Sequence, residues 1–410
     1  MVKEVKFLKG PELRDIVDYD FPGLNRALSL GPDKVIQEIS EARLLGRGGA
    51  GFPTGTKWDL AQQQKGDEKY FICNADEGEP GTYKDRYLLE QRTLKVLEGI
   101  IIGAYAVGAN RGFIYIRGEY SNPIKIMKRA LEEAREAGIL GENIFDSGFD
   151  FDLRLVRGAG AYVCGDETAL INSIEGKRGI SRIKPPYPIQ KGLFDKPTVV
   201  NNVESLACAA EILHRGAGEF ASCGVENSRG TKLVSLSGDV NYADIFEVEF
   251  GSCTLREIIE DLAGGVKGEG KPKFVVPGGL STAALTAGEL DCEYSYEGIE
   301  EAGSSIGSGA IIVCRESRDL VDILLKVSRF YMDETCGTCF PCREGNRQIN
   351  HMLSKHRNRK FSREEVELVE DIGEAIAAAA RCGLGQTSLS LISSIFDKFP
   401  HELIEEGVRI

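Results

Sequence analysis

The sequence has no uninterrupted apolar stretch that could cross a membrane. Its longest apolar run, from about Val96 to Ala109, contains Glu98 and several glycines, whereas a membrane-spanning helix needs about 20 apolar residues. This run is therefore predicted to be a buried helix. Residues 1–6 have no apolar segment behind their basic start. No signal peptide is expected, so the predicted location is the cytoplasm, with any membrane attachment made through partners.

Positive charge and histidine are also scarce. The chain carries 50 Lys and Arg against 63 Asp and Glu, which gives a net charge of −13 at pH 7. A nucleic-acid binder presents a basic face, so the charge balance argues against that class. The chain has 4 histidines, and their positions show no spacing typical of metal ligands. We assign them no chemistry.

Cysteine is the reactive residue type that the chain does have. An odd count of 11 in a chain without an expected secretion signal argues against a disulfide framework. Seven of these cysteines are scattered, and scattered cysteines are mostly inert core residues. The seven are Cys73, Cys164, Cys208, Cys223, Cys253, Cys292 and Cys314.

A length of 410 residues exceeds what one compact core usually holds, so a multi-domain α/β fold is expected. Residues 1–225 alternate strand and helix patterns, including a strand at 70–75 and a helix at 87–107, and predict an α/β domain. Residues 226–315 show the alternation of a half-buried hairpin, which predicts a small α+β domain. Residues 316–410 have apolar residues at helical spacing in four segments, which predicts a helical bundle.

The remaining four cysteines form a pattern. Cys336, Cys339 and Cys342 are spaced C-x2-C-x2-C, a spacing that lets one loop supply three corners of a cuboidal 4Fe–4S cluster. Cys382 could supply the fourth corner from the end of a following helix. Zinc is the alternative, although structural zinc sites favour two paired C-x2-C knuckles. Four unrelated buried thiols are a third interpretation, and the spacing favours the cluster.

A glycine-rich loop runs from Gly46 to Gly51 and matches G-x-G-x-x-G. The dinucleotide fingerprint requires a strand before the loop and a helix after it, and the residues before this loop look helical. Backbone N–H groups of glycines can still approach an anion, and Arg47 and Lys57 supply positive charge. The alternative is a glycine-rich turn without a ligand.

An acidic turn follows the predicted strand at 70–75. Asp76, Glu77 and Glu79 lie within four residues, preceded by Asn74. A solvated acidic turn is the ordinary explanation of such a run. Amides and carboxylates at the carboxyl end of a strand are also suited to hydrogen bonds with ribityl hydroxyls, a flavin ring edge or a ribose.

Together these segments resemble the flavin-bearing, NADH-oxidising subunit of respiratory complex I and the matching subunits of NAD-linked hydrogenases and formate dehydrogenases. The resemblance covers about residues 40 to 395. Besides the cysteine loop, the shared runs are GRGGAGFPTG at 46–55, NADEGEPGTYKDR at 74–86, GAGAYVCGDETAL at 158–170, KPPYP at 184–188 and VVNNVES at 199–205. The resemblance implies a Rossmann-like FMN domain at 1–225, a ubiquitin-like domain of the SLBB type at 226–315, and a four-helix bundle with a 4Fe–4S cluster at 316–410.

The resemblance also implies which residues contact each cofactor. FMN is expected on Gly46, Arg47, Gly48, Lys57, Asn74, Asp76, Glu77, Tyr162, Gly165, Glu167, Asn201 and Asn202. NAD(H) is expected on Phe52, Lys57, Glu79, Asp166, Glu167 and Tyr187, with Phe52 and Tyr187 stacked on the adenine. The cluster ligands are Cys336, Cys339, Cys342 and Cys382. Glu79 and Glu167 are expected to position the nicotinamide and flavin, and no general acid or base is assigned.

Two positions depart from the family pattern. Asp166 stands where the family usually has Glu, and Tyr187 stands where several relatives have Phe. An acidic group near the adenosine ribose accepts the 2′-hydroxyl and repels a 2′-phosphate, so NADH is preferred over NADPH. No cysteines precede Gly46, and no cysteine repeats follow Cys382, which predicts a compact version without fused ferredoxin domains.

The expected partners are a small thioredoxin-like 2Fe–2S subunit and a larger iron–sulfur catalytic subunit. The expected function is that of a diaphorase subunit of an NAD-linked hydrogenase or formate dehydrogenase, and the complex I subunit is the alternative. A catalytically silent scaffold with a zinc-bearing bundle is the remaining hypothesis, from a different class of protein.

Overall fold

The computed structural model describes residues 2, 7–10, 15–66, 68–268, 270–357 and 359–405. Most of the amino-terminal segment on which the signal-peptide prediction rests lies outside these residues. Four strands of the first part form one sheet: β1 (Tyr70–Ala75), β2 (Arg111–Ile116), β3 (Asp152–Arg157) and β4 (Thr198–Asn202). Its helices are α1 (Pro22–Leu30), α2 (Pro32–Glu41), α3 (Thr54–Gln62), α4 (Lys84–Gln91), α5 (Thr93–Val107), α6 (Ser121–Glu136), α7 (Glu167–Ile174), α8 (Pro188–Lys191), α9 (Val203–Arg215) and α10 (Ala217–Ser222).

The first sheet is parallel throughout, with the strand order β3-β2-β1-β4. Helices cover both of its faces, as parallel sheets require. Phe71 and Cys73 of β1 pack into the core beneath α5. Tyr70 and Ile72, on the opposite face of the same strand, join a second core. This arrangement is a Rossmann-like α/β fold and confirms the predicted fold class of the first part.

The predicted buried helix at the longest apolar run is confirmed. Fourteen of the 15 residues of α5 are buried, so the run fills a core. The single helix predicted over 87–107 is wrong, because the chain breaks at Arg92 (φ −132°, ψ 32°) into α4 and α5. Within the described part of the chain, no helix is both long and apolar enough to span a bilayer.

The second part contains a five-stranded sheet in the order β10-β9-β11-β7-β8. In chain order, the elements of the second part are β5 (Gly224–Val225), β6 (Ser228–Arg229), β7 (Thr231–Gly238), β8 (Ile245–Glu249), α11 (Leu255–Glu257), β9 (Pro272–Val276), β10 (Leu285–Thr286), α12 (Tyr296–Glu301) and β11 (Ala310–Arg315). Strands β5 and β6 form a separate two-stranded ribbon. The predicted hairpin is confirmed as the antiparallel pair β7–β8. The parallel pairing of β11 with β7 needs a crossover, which residues 239–309 between the two strands supply.

Helices make up the third part. They are α13 (Leu320–Glu334), α14 (Phe340–Ser354), α15 (Arg363–Ala379), α16 (Gly383–Gln386), α17 (Ser390–Lys398) and α18 (Pro400–Leu403). Their apolar faces share a core with one face of the first sheet. The helix that was expected to end at Cys382 is α15, which ends at Ala379, so Cys382 lies instead at the start of α16.

A buried charge network joins the first two parts. Glu204, at the start of α9, is 0% exposed and lies 3.0 Å from Lys84 Nζ and 2.6 Å from Lys232 Nζ. Lys84 also pairs with Asp85 at 2.6 Å. The Leu233 amide of β7 donates to the second oxygen of Glu204 at 3.0 Å. One carboxylate therefore pairs with two buried lysines, one from α4 of the first part and one from β7 of the second part.

Candidate functional site

Residues from two strands, one turn and the glycine-rich loop meet at the carboxyl edge of the first sheet. Asn74 of β1 donates to the Gly165 carbonyl at 2.8 Å, which brings the turn at Tyr162–Gly165 to this edge. A Cβ atom added to Gly48 would lie 3.1 Å from Asn202 Cβ, so the glycine-rich loop packs closely on the end of β4. The carboxyl ends of parallel strands are where ligands of α/β sheets bind.

The lysine predicted to bind the cofactor lies beneath this edge. Lys57 of α3 donates from Nζ to the Val200 carbonyl at 3.2 Å. Burial lowers the pKa of Lys57, the Glu167 carboxylate partly opposes that shift, and nearby Lys184 adds to it. Trp58, the next residue, donates to Asn201 Oδ1 at 2.9 Å and fixes the amide of that predicted ligand.

Asp76 is a buried carboxyl group at this edge with one oxygen that lacks a partner among the described residues. Its side chain is 8% exposed, and Asp76 Oδ2 has no hydrogen-bond partner within the described part of the chain. It lines a small cavity together with Gly78, Arg117, Gly160, Ala161, Tyr162 and Glu334. Burial raises the pKa of Asp76 to about 7; Arg117 opposes this shift, and Glu119 and Glu334 add to it. A buried carboxyl oxygen without a partner is what a bound polar ligand would satisfy.

We expect Asp76→Asn to flatten the pH dependence of stability in the FMN-free protein. The folded state keeps a proton on Asp76 that the unfolded state loses above about pH 4, so this group makes the free energy of unfolding fall as the pH rises towards 7. In the variant, the slope of the free energy of unfolding against pH should be smaller by about 1.4 kcal/mol per pH unit. Urea denaturation at about pH 5, 6 and 7 gives the free energy of unfolding at each pH and hence this slope. Asp33→Asn, at an exposed position, is the control, and equal slopes in both variants would contradict the assignment.

Two predicted acidic ligands have protein partners. Glu77 accepts from the amides of Asp85 at 2.8 Å and Arg86 at 3.0 Å and from the Tyr120 hydroxyl at 2.8 Å, so its carboxylate caps the start of α4. Glu79 accepts from the Tyr162 hydroxyl and, at 2.9 Å, from the Ser281 amide of the second part. Glu79 therefore ties the acidic turn to the loop that follows β9.

Arg47 has a side chain directed away from the strand ends. Its guanidinium is 0% exposed, donates to the Arg229 carbonyl at 2.8 Å, and lies 4.9 Å from the centre of the Phe250 ring. Its amide donates to Ser205 Oγ at 2.8 Å. The arginine thus fastens the glycine-rich loop to the second part, and the loop presents backbone at the edge of the first sheet.

The predicted nucleotide residues form a charged group beside two exposed rings. Glu167 Oε1 accepts from Lys184 Nζ at 2.8 Å, and Glu167 Oε2 lies 3.8 Å from Lys57 Nζ. Phe52 is 46% exposed and Tyr187 is 52% exposed, so both rings are free to stack on a flat ligand.

Lys184 was not predicted as a site residue. Burial opposes ionisation, but Glu167 and Asp166 outweigh it and raise the pKa of Lys184. Asp166 Oδ1 caps α7 by accepting from the Thr168 amide at 2.9 Å, while its Oδ2 lies 3.9 Å from Lys184 Nζ. The available sequence signal was the position of Lys184, directly before two prolines and three residues before the predicted aromatic ligand Tyr187.

The four patterned cysteines lie close together. Burial raises the pKa of the Cys342 thiol, and the neighbouring Cys382, Cys339 and Cys336 raise it further. Cys339 and Cys342 lie at the start of α14, and Cys382 precedes α16. The Asn346 amide donates to Cys342 Sγ at 3.5 Å, and the Thr335 hydroxyl lies 3.2 Å from that sulfur.

The arrangement fits a cluster ligated by four thiolates. A Cβ atom added to Gly385 would lie 3.3 Å from Cys342 Sγ, so this glycine keeps space open beside the sulfur. Within the described ranges, no three His, Cys, Asp or Glu side chains surround one point closely enough to ligate a single metal ion. A cuboidal cluster takes one thiolate at each of its four irons, and four thiols from two segments are that set of donors.

Of the other seven cysteines, Cys164 lies near Cys336: burial raises the pKa of the Cys164 thiol, and Cys336 adds to that shift. Five of the seven are buried, and Cys223 and Cys292 are partly exposed. Burial raises the pKa of the Cys208 thiol to about 12 and that of Cys314 to about 11, which keeps both thiols protonated at neutral pH.

Comparisons with known proteins agree with both sites. Residues 39–211 match the Nuo51 FMN-binding domain, and residues 322–406 match the NADH-ubiquinone oxidoreductase-F iron-sulfur binding region. The NADH-quinone oxidoreductase F subunit of Aquifex aeolicus is 44% identical over 97% of this chain and 92% of its own length. The HndC subunit of the NADP-reducing hydrogenase of Solidesulfovibrio fructosivorans is 45% identical over 93% of this chain and 78% of its own length.

A solved structure has the same fold. An NAD+-reducing [NiFe]-hydrogenase in the H2-reduced state superposes with a TM-score of 0.86 at 33% identity, covering 98% of this chain and 67% of that chain. Fold, site and matches define an oxidoreductase that binds FMN and a 4Fe–4S cluster and acts on NADH. The chain belongs to the family of NADH-quinone oxidoreductase F subunits.

Proposed function

We propose that this chain is the NADH-oxidising (diaphorase) subunit of a multisubunit NAD-linked hydrogenase or formate dehydrogenase. One observation carries the proposal: the Tyr162–Gly165 turn touches both sites. Its Gly165 end accepts from Asn74 at the strand edge, and its Tyr162 amide donates at 3.0 Å to Glu334, which directly precedes the cysteine segment. A group bound at the strand edge is therefore a near neighbour of the thiols.

The chain's own residues hold and orient the reactants. When bound, FMN accepts two electrons as a hydride and passes them on singly, and a 4Fe–4S cluster carries one electron at a time. The backbone of Gly46 and Gly48, together with Lys57, Asn74 and Asp76, would hold the flavin. Asn201 and Asn202 of β4 are proposed as further ligands, although the Asn202 side chain also donates to Asp85 Oδ2 at 2.6 Å and accepts from the Glu204 amide at 3.0 Å. Cys336, Cys339, Cys342 and Cys382 would hold the cluster.

The nucleotide is proposed to bind between the two exposed rings and the charged group. Phe52 and Tyr187 would stack on the adenine, and Glu79 and Glu167 would position the nicotinamide end. We add Lys184, because its ammonium lies between Glu167 and Asp166 at the same opening. A lysine at this place can meet a pyrophosphate while it holds both carboxylates in position.

The proposed domains follow the predicted boundaries. Residues 1–225 form the FMN and NADH domain. Residues 226–315, with the mixed sheet around β7 and β11, are proposed to be a ubiquitin-like domain of the SLBB type. Residues 316–410 are proposed to be a four-helix bundle around the cluster, in which α13, α14, α15 and α17 are the long helices.

The proposed partners are a thioredoxin-like 2Fe–2S subunit and a larger iron–sulfur catalytic subunit. The match to a NAD+-reducing hydrogenase supports the hydrogenase assignment. The match to quinone oxidoreductase subunits supports the alternative, the NADH-binding subunit of complex I. The proposed location is the cytoplasm, with membrane attachment only through partners.

Purification of the chain with its native partners tests the proposal. FMN, about four irons per chain from this cluster, and bleaching of the flavin by NADH without oxygen are expected. A colourless protein that holds zinc would contradict it. Copurification with a hydrogenase or formate dehydrogenase subunit would support the first assignment, and copurification with membrane subunits would support the alternative.

We expect Asp166→Asn to weaken the preference for NADH. One relative is named as NADP-reducing, so the choice of nucleotide varies within the family. Removal of the negative charge removes the repulsion of a 2′-phosphate, while asparagine retains the cap of α7. The ratio of kcat/KM for NADPH to that for NADH should rise about tenfold. Asp195→Asn, at a side chain that is 72% exposed, should leave it unchanged, and an unchanged ratio in Asp166→Asn would contradict the assigned ribose contact.

A further inference from the structure

The second part of the chain holds the acidic turn that follows β1. Thr82 Oγ1 lies 2.5 Å from Ser308 Oγ, just before β11. The Ser281 amide, in the loop after β9, donates to Glu79 at 2.9 Å. The turn that carries the predicted nicotinamide residue is therefore shaped by contacts from two loops of the second part.

The loop after β9 has a fixed shape of its own. We call residues 278–282 the clamp loop. Both the amide and the hydroxyl of Thr282 donate to the Gly279 carbonyl at 3.0 Å, which closes a tight turn. The Ser308 amide donates to the Gly278 carbonyl at 3.0 Å. The clamp loop is thus held from within and by the segment that leads into β11.

Gly279 lets the clamp loop reach the Glu79 side chain. Its φ is +100°, and a Cβ atom added to it would lie 2.6 Å from both Cγ and Oε1 of Glu79. Glycine alone adopts this backbone region without strain, and atoms without a bond between them do not approach so closely. Both the conformation and the close contact with Glu79 therefore require glycine at this position.

The Glu79 carboxylate is held between the two parts. Its Oε1 accepts from the Ser281 amide of the second part, and its Oε2 accepts from the Tyr162 hydroxyl of the first part. Burial raises the pKa of Glu79, and hydrogen bonds from Tyr162, Ser281 and Leu280 oppose that shift. The place of this carboxylate is therefore set by how the clamp loop packs against the first part.

We propose that the clamp loop, through Gly279, positions the Glu79 carboxylate for the nicotinamide end of the bound dinucleotide. This rests on the proposed function, which assigns Glu79 to that end, and it gives the second part a role in the reaction. In that step NADH loses a hydride to FMN and becomes NAD+. A misplacement of about 1 Å can cost such a step about a hundredfold in rate. The adenine end, on Phe52 and Tyr187, does not depend on the clamp loop.

Gly279→Ala tests the proposal in the protein purified with its native partners. The added methyl group meets the flexible end of Glu79 and forces the carboxylate to move. Gly303→Ala is the matched control: its φ is +87°, and an added Cβ atom would meet nothing within 4 Å. The control therefore carries similar backbone strain in the same part of the chain without displacing a neighbour.

Two measurements separate the nicotinamide end from the adenine end. In Gly279→Ala, calorimetry should show NAD+ bound about fivefold more weakly and ADP-ribose, which lacks the nicotinamide, bound as before. Stopped-flow reduction of the flavin by saturating NADH without oxygen should be about tenfold slower. Gly303→Ala should change neither. Equal results in the two variants, or equal weakening of NAD+ and ADP-ribose in Gly279→Ala, would overturn the proposal.

A double variant shows whether Gly279 acts through Glu79. Glu79→Ala should itself slow flavin reduction, and it removes the side chain that the methyl group displaces. Gly279→Ala should then cost less than about twofold in the Glu79→Ala protein, against about tenfold in the unmodified one. A tenfold or so loss in both backgrounds would overturn positioning through Glu79, and so would unchanged flavin reduction in Glu79→Ala.

Ser281→Ala gives a second measurement that does not depend on the folding of Gly279→Ala. It removes a hydroxyl that also hydrogen-bonds to Glu79, and flavin reduction should be about threefold slower. FMN content should match the unmodified protein in every variant. Absence of FMN and of bleaching by NADH in the unmodified protein would refute the proposed function. Normal values there, with Gly279→Ala and Ser281→Ala as fast as Gly303→Ala, would refute the positioning alone.

Discussion

Replacement of Cys342 by alanine is expected to remove the cluster and leave the flavin reaction intact. Cys342 is the most buried of the four patterned cysteines, and the other three thiols lie around it. Iron should fall from about four atoms per chain to near zero. Electron transfer to an iron–sulfur acceptor should fall at least about a hundredfold, because the relay loses a carrier. NADH:ferricyanide activity should stay within about twofold, since it draws on the flavin.

Iron analysis, EPR of the reduced protein and the two activities measure this outcome. Cys314→Ala is the matched control, because Cys314 is also buried but lies in the second sheet; it should keep iron and both activities. Retained FMN and a normal urea midpoint show that Cys342→Ala has folded. Full iron content in Cys342→Ala would remove this residue from the ligand set.

Replacement of Glu204 by glutamine is expected to destabilise the protein by about 3–5 kcal/mol. Glutamine matches the shape of Glu204 but, within the described part of the chain, leaves Asp85 as the one carboxylate within salt-bridge distance of the two buried lysines, Lys84 and Lys232. Burial already lowers the pKa of Lys232 to about 8 despite the attraction of Glu204. Loss of that carboxylate should lower it further, and the lysine must then give up its proton to stay buried.

Urea denaturation at pH 7 measures the loss as a decrease in the unfolding midpoint. Glu133→Gln is the control: Glu133 is 25% exposed and pairs with the highly exposed Arg129, so its loss should cost less than about 0.5 kcal/mol. A Glu204→Gln midpoint equal to that of the control would mean that the buried network contributes little to stability.

Strands whose apolar residues alternate regularly or form one continuous run were predictable from the sequence. β1 and the β7–β8 hairpin follow apolar alternation or an apolar run, and the structure has them where predicted. β3 and β4 were not predicted. The β3 sequence DLRLVR and the β4 sequence TVVNN are short and end in polar residues, and they become strands because β2 and β1 offer free edges. Tertiary pairing decided those two strands.

The composition of the site was more predictable than the direction of its side chains. The cysteine spacing predicts three cluster ligands and leaves Cys382 as a plausible fourth, and the structure brings all four thiols together. Glu77 and Arg47 show what a motif cannot reveal: the first caps α4, and the second reaches the other sheet. These directions depend on where helices start and how the parts pack. Lys184 was missed because a lysine beside prolines has no pattern of its own.

Arg47 has a consequence for the independence of the parts. A protein ending at residue 225 would keep the glycine-rich loop but lose Arg229 and Phe250, the contacts that enclose this arginine. Glu204 and Lys84 would then face solvent where Lys232 now lies. The boundary near residue 225 separates two kinds of sheet, yet we expect residues 1–225 to be unstable without the second part. Truncation, domain exchange and fusion should keep residues 226–315 attached to it.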